Sequence, residues 1–148
     1  MTQPFEDRRL SPFVRLWAAC VTLLIPPGLW LFSFEKLASV LERGRPELPV
    51  GSRTFHDADL AAWVDGLLHR MRGPWRHTCL KRAAALFYLL RSAGRPVEME
   101  IGVRRDSAGA LQAHAWLNLT GSVYLEPDPA APNAHEVIAR FPETPSGP

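Results

Sequence analysis

The chain of 148 residues carries a formal net charge of +2, and hydrophobic residues make up 47% of it. This composition excludes an intrinsically disordered chain and predicts one domain that is large enough to bury a hydrophobic core. A net charge this small and scattered gives no indication of nucleic-acid binding.

Residues 1–53 are interpreted as an N-terminal helical segment followed by a linker. Ser11-Pro12 is a typical helix start, so we expect one helix from there to about Ile25. A second helix is expected from Leu29 to about Glu42, because Pro26-Pro27-Gly28 lies between the two and proline interrupts helical hydrogen bonding.

The apolar run from Leu16 to Phe34 follows several arginines, as the apolar part of a membrane segment does. The proline pair leaves neither half long enough to cross a bilayer, so two amphipathic helices are predicted instead of a span. Peripheral contact with a membrane surface through these helices is an open alternative. The side chains of Trp17, Cys20 and Trp30 are expected to pack in the core.

Residues 54–141 are interpreted as the core of the protein, and residues 142–148 as a disordered tail rich in Pro and Gly. Asp57 or Asp59 is expected to cap an amphipathic helix. The next helix begins at or just before Cys79 and ends at Gly94. The first of these two helices has apolar residues at helical spacing, namely Leu60, Trp63, Val64, Leu67, Leu68 and Met71.

After Gly94 the hydrophobic pattern changes from helical to alternating, which indicates strands at 97–103, 111–119 and 123–126. A hairpin connection is expected at 104–110, a turn at Thr120-Gly121, and a short apolar segment at 136–141. Helices followed by an antiparallel meander predict an α+β fold, with the helix that begins at Cys79 packed on a small antiparallel sheet.

Cys79 opens its helix, where unpaired backbone N–H groups and the positive end of the helix dipole favour a thiolate. A nucleophilic cysteine needs a base, and the base needs a group that orients it. His114, in the middle of the second strand on its polar face, is the best candidate base. If 119–121 form a three-residue loop, the strand register sets His114 opposite Glu126, whereas a two-residue loop sets apolar residues opposite polar ones. Cys79, His114 and Glu126 are therefore the predicted catalytic set.

Two tryptophans are candidate substrate-binding residues: Trp116 shares the face of His114, and Trp75 precedes Cys79 closely in the sequence. No ligand spacing typical of a metal site is present, and the two cysteines stand in unlike surroundings, so neither a metal, a cofactor nor a disulfide is expected. The remaining histidines have no matching partners and are expected to face solvent: His56, His69, His77 and His135.

Four separated motifs carry a family resemblance: Cys79-Leu80-x-Arg82-Ala83, Leu89-Leu90-Arg91-x-x-Gly94, Ile101-Gly102-Val103 and Ala113-His114-Ala115-Trp116. Together they resemble the transglutaminase-like cysteine proteases and, more narrowly, the B2 leader peptidases of lasso-peptide biosynthesis. The resemblance covers Cys79 to about Asp128 and implies a papain-like core with a Cys-His-Asp triad.

The nucleophile and the base of that triad carry over to Cys79 and His114. The acidic position of the family falls on Glu126, where many relatives have Asp, and Asp128 and Asn118 are the alternatives for the third member.

The resemblance implies a cytoplasmic thiol protease that removes the leader from a ribosomally made lasso precursor peptide through a thioester intermediate. It also implies partners: the precursor peptide, a separate B1 protein that recognises the leader, and the ring-closing cyclase. Two other functions stay open, namely a transglutaminase-like acyl transferase that uses the same triad and a non-catalytic scaffold or binding module.

Overall fold

The structure is a computed structural model and describes residues 10–43, 47–49, 54–73 and 78–142. Over these residues the fold is α+β, as predicted, with four α-helices followed by a four-stranded antiparallel sheet. The elements are α1 (Pro12–Leu31), α2 (Phe34–Arg43), α3 (Asp57–Arg70), α4 (Cys79–Ser92), β1 (Val97–Arg105), β2 (Leu111–Leu119), β3 (Ser122–Tyr124) and β4 (Glu136–Phe141), with a 3-10 turn at Pro132–Ala134.

The central element is α4, which packs against α1, α2 and α3 and also against β1 and β2. Its residues from Arg82 to Phe87 are all buried, and so are Leu89 and Leu90. Ala and Leu suit this position because they are strong helix formers and lose no polar contacts on burial. The predicted linker takes part in this packing, since Leu48 is buried and its amide donates to the Ser92 carbonyl at 3.1 Å. The predicted tail lies, apart from Pro142, outside the described residues.

The prediction that Pro26-Pro27 separates two helices is wrong. The hydroxyl of Ser11 caps α1 as expected, accepting from the Val14 amide at 3.3 Å, but the helix continues through both prolines to Leu31. Proline keeps a helical φ and costs only its own hydrogen bond and a local clash. Burial of Ile25 and Pro26 in the core offsets that loss. The second helix accordingly starts later than expected, at Phe34.

One face of α1 joins the core and the other is open and apolar. Val14, Ala18 and Ile25 are buried in the same cluster as α4. Cys20 is exposed and Trp30 is 86% exposed, so the expectation that both lie in the core is wrong. The other exposed apolar side chains of this helix are Phe13, Leu16, Leu23, Leu24 and Leu31.

By length and composition alone, α1 could cross a membrane. An 18-residue window within Pro12–Leu31 has a mean hydropathy of 1.5, and 28% of it is buried. This corrects the expectation that the proline pair leaves no segment long enough for a span. A core helix and a signal sequence meet the same criterion.

The helix α3 buries Leu60, Val64 and Leu68, as its predicted pattern requires. Its N-cap is His56, without a capping side chain, so neither aspartate plays the predicted part. The carboxylate of Asp57 instead accepts from Arg95 Nε at 3.0 Å and from the Tyr124 hydroxyl at 2.6 Å. Asp57 therefore bonds to side chains of other parts of the fold and does not cap its own helix.

The strand order is β3-β2-β1-β4, and all neighbours are antiparallel. The face of β1 and β2 towards α4 carries Val97, Met99 and Leu117, which are buried. The opposite face, predicted to be the polar one, is partly enclosed as well: Glu100, Trp116 and Asn118 are 5%, 2% and 8% exposed. The segment around the 3-10 turn approaches this face, since Pro132 is buried and His135 lies close to Gly102.

The register predicted between β2 and β3 is wrong by one residue. Leu117 pairs with Tyr124 and Asn118 with Val123, joined by a two-residue turn at Thr120-Gly121 with φ of 50° and 84°. A two-residue turn was expected to cost burial, because it sets apolar residues of one strand opposite polar residues of the other, but this cost does not arise. Tyr124 places its ring towards the core while its hydroxyl reaches Asp57, and Val123 lines a cavity on the other face.

Candidate active site

Cys79 is the first residue of α4. The hydroxyl of Thr78 caps the helix by accepting from the Lys81 amide at 3.3 Å, and the first helical hydrogen bond runs from the Arg82 amide to the Thr78 carbonyl. The amides of Cys79 and Leu80 consequently have no acceptor within the helix. The thiol is free of disulfides and half-exposed, and it lies where the helix dipole favours an anion.

His114 and Glu126 form a hydrogen bond, with Nε2 and Oε1 separated by 3.1 Å. The side chain of Glu126 is 6% exposed and that of His114 is 20% exposed, so this is not a solvated surface pair. Because the carboxylate can only accept when ionised, Nε2 is the ring nitrogen that donates. The proton-accepting position of the neutral imidazole is then Nδ1.

The contact between these two residues was predicted, but the ladder register does not produce it. The strand β3 ends at Tyr124, and the next residue, Leu125, has a φ of 55°. This left-handed conformation is strained for a residue other than glycine and needs support from its surroundings. It turns the chain out of the ladder and directs Glu126 to His114.

Arg82 supplies that support from the first turn of the cysteine helix. Its Nη2 donates to the carbonyl oxygen of Leu125 at 2.8 Å, and its Nε donates to Asp65 Oδ1 at 2.6 Å. The side chain of Arg82 is 8% exposed. The helix that begins at Cys79 is thereby linked directly to the backbone that carries the acid.

Among the described residues, no hydrogen bond joins the sulfur of Cys79 to the ring of His114. The hydrogen bond from Arg82 to the Leu125 carbonyl instead joins α4 to the segment that carries Glu126. The catalytic roles of Cys79, His114 and Glu126 therefore stay predictions, and the geometry supplies the pairing of base and acid.

The two alternatives for the acid lie elsewhere. Asp128 is exposed and its Oδ1 accepts from the Ala130 amide at 3.1 Å, which is the arrangement of a local turn. Asn118 is buried beside a cavity, two residues beyond Trp116 on the same face of β2. Of the three candidates, Glu126 is the one that bonds to the imidazole.

His114 is part of an aromatic cluster with Trp116 and His135. Its ring centroid lies 5.8 Å from that of Trp116 and 5.4 Å from that of His135, whose Nδ1 lies 2.6 Å from the Ala131 carbonyl oxygen. The expectation that His135 faces solvent is therefore wrong. The approach requires glycine at position 102, because a Cβ there would lie 2.7 Å from Trp116 and 2.8 Å from His135.

Sequence reasoning missed His135 because it lies in a loop without periodicity. Gly102, directly opposite His114 in the register, was the available indication, since glycine inside a strand often marks a close approach of another group. The predicted substrate-binding residue Trp75, like His77, lies outside the described residues. Within the described ranges, no three His, Cys, Asp or Glu side chains are grouped so that they could hold a metal ion.

Comparison with models of known families matches residues 21–140 of the chain to the transglutaminase-like superfamily. Comparison with curated proteins and with solved structures returned no match. The family match extends from the middle of α1 to the end of β4 and includes the cysteine helix, the histidine strand and the acid. The chain belongs to the transglutaminase-like superfamily.

Proposed function

We propose that this protein is a cysteine peptidase that removes the leader from a ribosomally made lasso precursor peptide, with Cys79, His114 and Glu126 as its triad. The hydrogen bond between His114 and Glu126 carries the proposal, because it pairs a base with an orienting acid inside the fold. Membership of a superfamily that includes cysteine proteases supports the reaction class. The narrower substrate rests on the motif resemblance to the B2 leader peptidases.

In the proposed reaction His114 Nδ1 accepts the thiol proton of Cys79, and the thiolate attacks the scissile carbonyl carbon. The oxyanion that forms accepts a hydrogen bond from the Cys79 amide, which has no acceptor within its helix. His114 then protonates the departing amine as the C–N bond breaks and a thioester remains. Water, deprotonated by His114, attacks the thioester carbon. The C–S bond breaks, the leader leaves as a carboxylic acid, and the proton on His114 returns to the Cys79 thiolate. Glu126 orients the ring and stabilises its charged form.

The proposal includes a separate B1 protein that binds the leader, and a ring-closing cyclase that acts on the released core peptide. It places the reaction in the cytoplasm. Both cysteines are free in the structure, which is compatible with a reducing compartment.

The test is incubation of the protein with a candidate precursor peptide and a leader-binding partner, read by peptide mass. We expect cleavage at the leader–core junction that is lost in Cys79→Ala and in His114→Ala. A product that gains the mass of an added amine would identify an acyl transferase instead. Full function of Cys79→Ala in the producing cell would identify a scaffold or binding module and overturn the proposal.

The thiol of Cys79 can be tested without a substrate. Cys20 is exposed on α1 and provides an ordinary thiol in the same chain, so access alone does not favour Cys79. We expect iodoacetamide to alkylate Cys79 faster than Cys20 near pH 7, as located by peptide mapping, because thiolate is the reactive form. Equal rates for both residues would contradict an activated nucleophile.

A further inference from the structure

A cavity of about 370 Å³ lies on the face of the sheet that points away from α4. Its walls include Glu98 and Glu100 of β1, Trp116 and Asn118 of β2, Pro132 of the 3-10 turn and Arg140 of β4. This volume is in the range of pockets that bind small ligands or side chains. The cavity shares Trp116 with the candidate active site, because the indole stacks against His114 at a centroid distance of 5.8 Å.

One of the two carboxylates in the cavity is already neutralised. Glu100, 5% exposed, accepts from the Trp116 indole Nε1 at 3.0 Å and forms an ion pair with Arg140 at 2.6 Å. This arrangement also fixes the indole ring, because its one donor is occupied. The guanidinium of Arg140 is therefore committed to Glu100.

Among the cavity-lining residues of β1 and β2, two polar side chains remain without a protein partner. Glu98 and Asn118 lie directly opposite each other in the register of β1 and β2. Within the part of the chain that the structure describes, neither side chain forms a hydrogen bond or an ion pair. Asn118 is only 8% exposed as a residue, and its amide group reaches solvent through the cavity. The open carboxylate and the open amide face the same space, which indicates a ligand that donates hydrogen bonds.

We propose that this cavity is a specificity subsite for a basic side chain, Lys or Arg, of the peptide substrate. The Glu98 carboxylate supplies the countercharge and the Asn118 carbonyl oxygen a second acceptor. Val123 and Val137 also line the cavity, and because they are 38% and 41% exposed they offer an apolar surface for the methylene stem.

This subsite rests on the proposed peptidase function, and its distance from His114 sets the position of the basic residue. An extended peptide advances about 3.3–3.6 Å per residue. Glu98 and Asn118 lie four residues along β1 and β2 from Gly102 and His114, which is about 13 Å at that rise, and the long stem of a lysine or arginine covers about half of this distance. A side chain in the cavity therefore belongs to a residue within about two positions of the scissile bond.

The first experiment profiles cleavage of a proteome-derived peptide library by mass spectrometry, with the leader-binding partner present and Cys79→Ala as the blank. We expect Lys or Arg to be enriched at one position within two residues of the cut. For one cleaved sequence, a matched pair of peptides then carries Arg or its neutral isostere citrulline there. Wild type should cleave the Arg peptide with a kcat/KM at least tenfold higher, mainly through KM.

Glu98→Gln should abolish that preference, and Glu136→Gln, which changes an exposed carboxylate of β4 outside the cavity walls, should leave the preference as in wild type. Cleavage that depends on Cys79 but does not distinguish Arg from citrulline would overturn the subsite and leave the peptidase intact. Absence of any Cys79-dependent cleavage would instead count against the peptidase.

A binding measurement separates the two proposals further. Nα-acetyl-arginine methylamide should shift the side-chain NH₂ resonance of Asn118, assigned by its loss in Asn118→Leu, and the citrulline analogue should not. A shift without turnover would support the cavity as a site for basic groups while the peptidase fails. No shift, together with no charge preference in cleavage, would overturn the subsite.

Discussion

At the scale of single residues, the position of Glu126 depends on the backbone that precedes it. The backbone leaves β3 at Tyr124 and turns at Leu125, so the acid approaches His114 from outside the ladder. The carboxylate of Glu126 ends 3.1 Å from Nε2, and 6% of its side chain is exposed. A charge this enclosed is stabilised by its hydrogen-bond partner, so removal of the charge acts directly on the imidazole.

Glu126→Gln is expected to lower kcat for peptide cleavage by about 10²-fold or more, because an amide can hold the ring but does not stabilise its charged form. KM should change little, and the rate of Cys79 alkylation should fall in parallel. Asp128→Asn is the matched control, since this carboxylate is exposed and bonds only within its own turn. Equal kcat values for wild type and Glu126→Gln would remove Glu126 from the triad.

Tyr124 provides a second prediction at this scale. Burial, together with the hydrogen bond to Asp57 and its negative charge, raises the pKa of Tyr124 to about 12 from 10.0. The folded state thus favours the neutral phenol, and its stabilising contribution is present below pH 10 and lost as the pH rises towards 12. The chain has two tyrosines, and burial also raises the pKa of Tyr88, so absorbance at 295 nm should show one of two high-pH ionisations disappear in Tyr124→Phe.

The same variant gives a stability test of that pKa. Tyr124→Phe should lower the free energy of unfolding by about 1 kcal/mol at pH 8. The difference from wild type should shrink above pH 10, because the wild-type contribution is lost there. A difference that is independent of pH between 8 and 11 would contradict the assigned cause.

At the scale of elements, the sequence predicted what local periodicity determines and missed what tertiary contacts decide. The helix at Cys79 and the alternation in β1 and β2 follow from spacing, whereas the predicted contact of His114 with Glu126 depends on the turn at Leu125 and not on the ladder register. The continuous α1 does not, because core packing of Ile25 and Pro26 outweighs the local cost of proline. The prediction of the β2–β3 register was wrong for a related reason. Tyr124 is apolar along its ring and polar at its tip, so a binary pattern cannot assign its face.

The two-residue turn between β2 and β3 carries a cost that a substitution can remove. Thr120 has a φ of 50° and Gly121 a φ of 84°, the geometry of a type I′ turn, which favours Asn-Gly. A β-branched residue in the left-handed region is strained by about 1 kcal/mol or more. Thr120→Asn should raise the free energy of unfolding by about that amount, measured by urea denaturation.

Thr120→Val is the control for this turn. It keeps the β-branch but removes the hydroxyl that donates to the Leu119 carbonyl at 2.8 Å. We expect no gain in stability from it. If both variants stabilise the protein equally, relief of backbone strain is not the cause.

At the scale of the whole molecule, α1 is held to the protein by one face and presents an apolar surface with the other. Val14, Ala18 and Ile25 belong to the core that surrounds α4, so removal of α1 from the fold would expose that core to water. The outer face of α1 can contact another surface without removal of the helix from the fold. Its Leu16, Leu24 and Trp30 are 67%, 68% and 86% exposed, and α1 contains one charged residue, Arg15.

This division favours contact with a lipid surface over a membrane span. A helix that lies in the interface buries one apolar face and retains its protein contacts, and an exposed tryptophan is typical of the boundary between lipid and water. We therefore expect the protein to float with vesicles of phosphatidylcholine and phosphatidylglycerol. Leu24→Ser with Trp30→Ser should reduce the bound fraction about tenfold or more, because each side chain contributes apolar area.

Val40→Ser is the control for vesicle binding, since Val40 is 56% exposed on α2 and lies off the α1 face. It should leave flotation unchanged. A second copy of the chain is the other molecule that this face of α1 could bind. Light scattering on the protein without vesicles tests for it, because it measures whether the protein is a monomer or a dimer. The membrane prediction would be overturned if wild type does not float and forms a dimer that dissociates in the Leu24→Ser, Trp30→Ser variant. In that case the apolar face of α1 packs against a second copy of the chain.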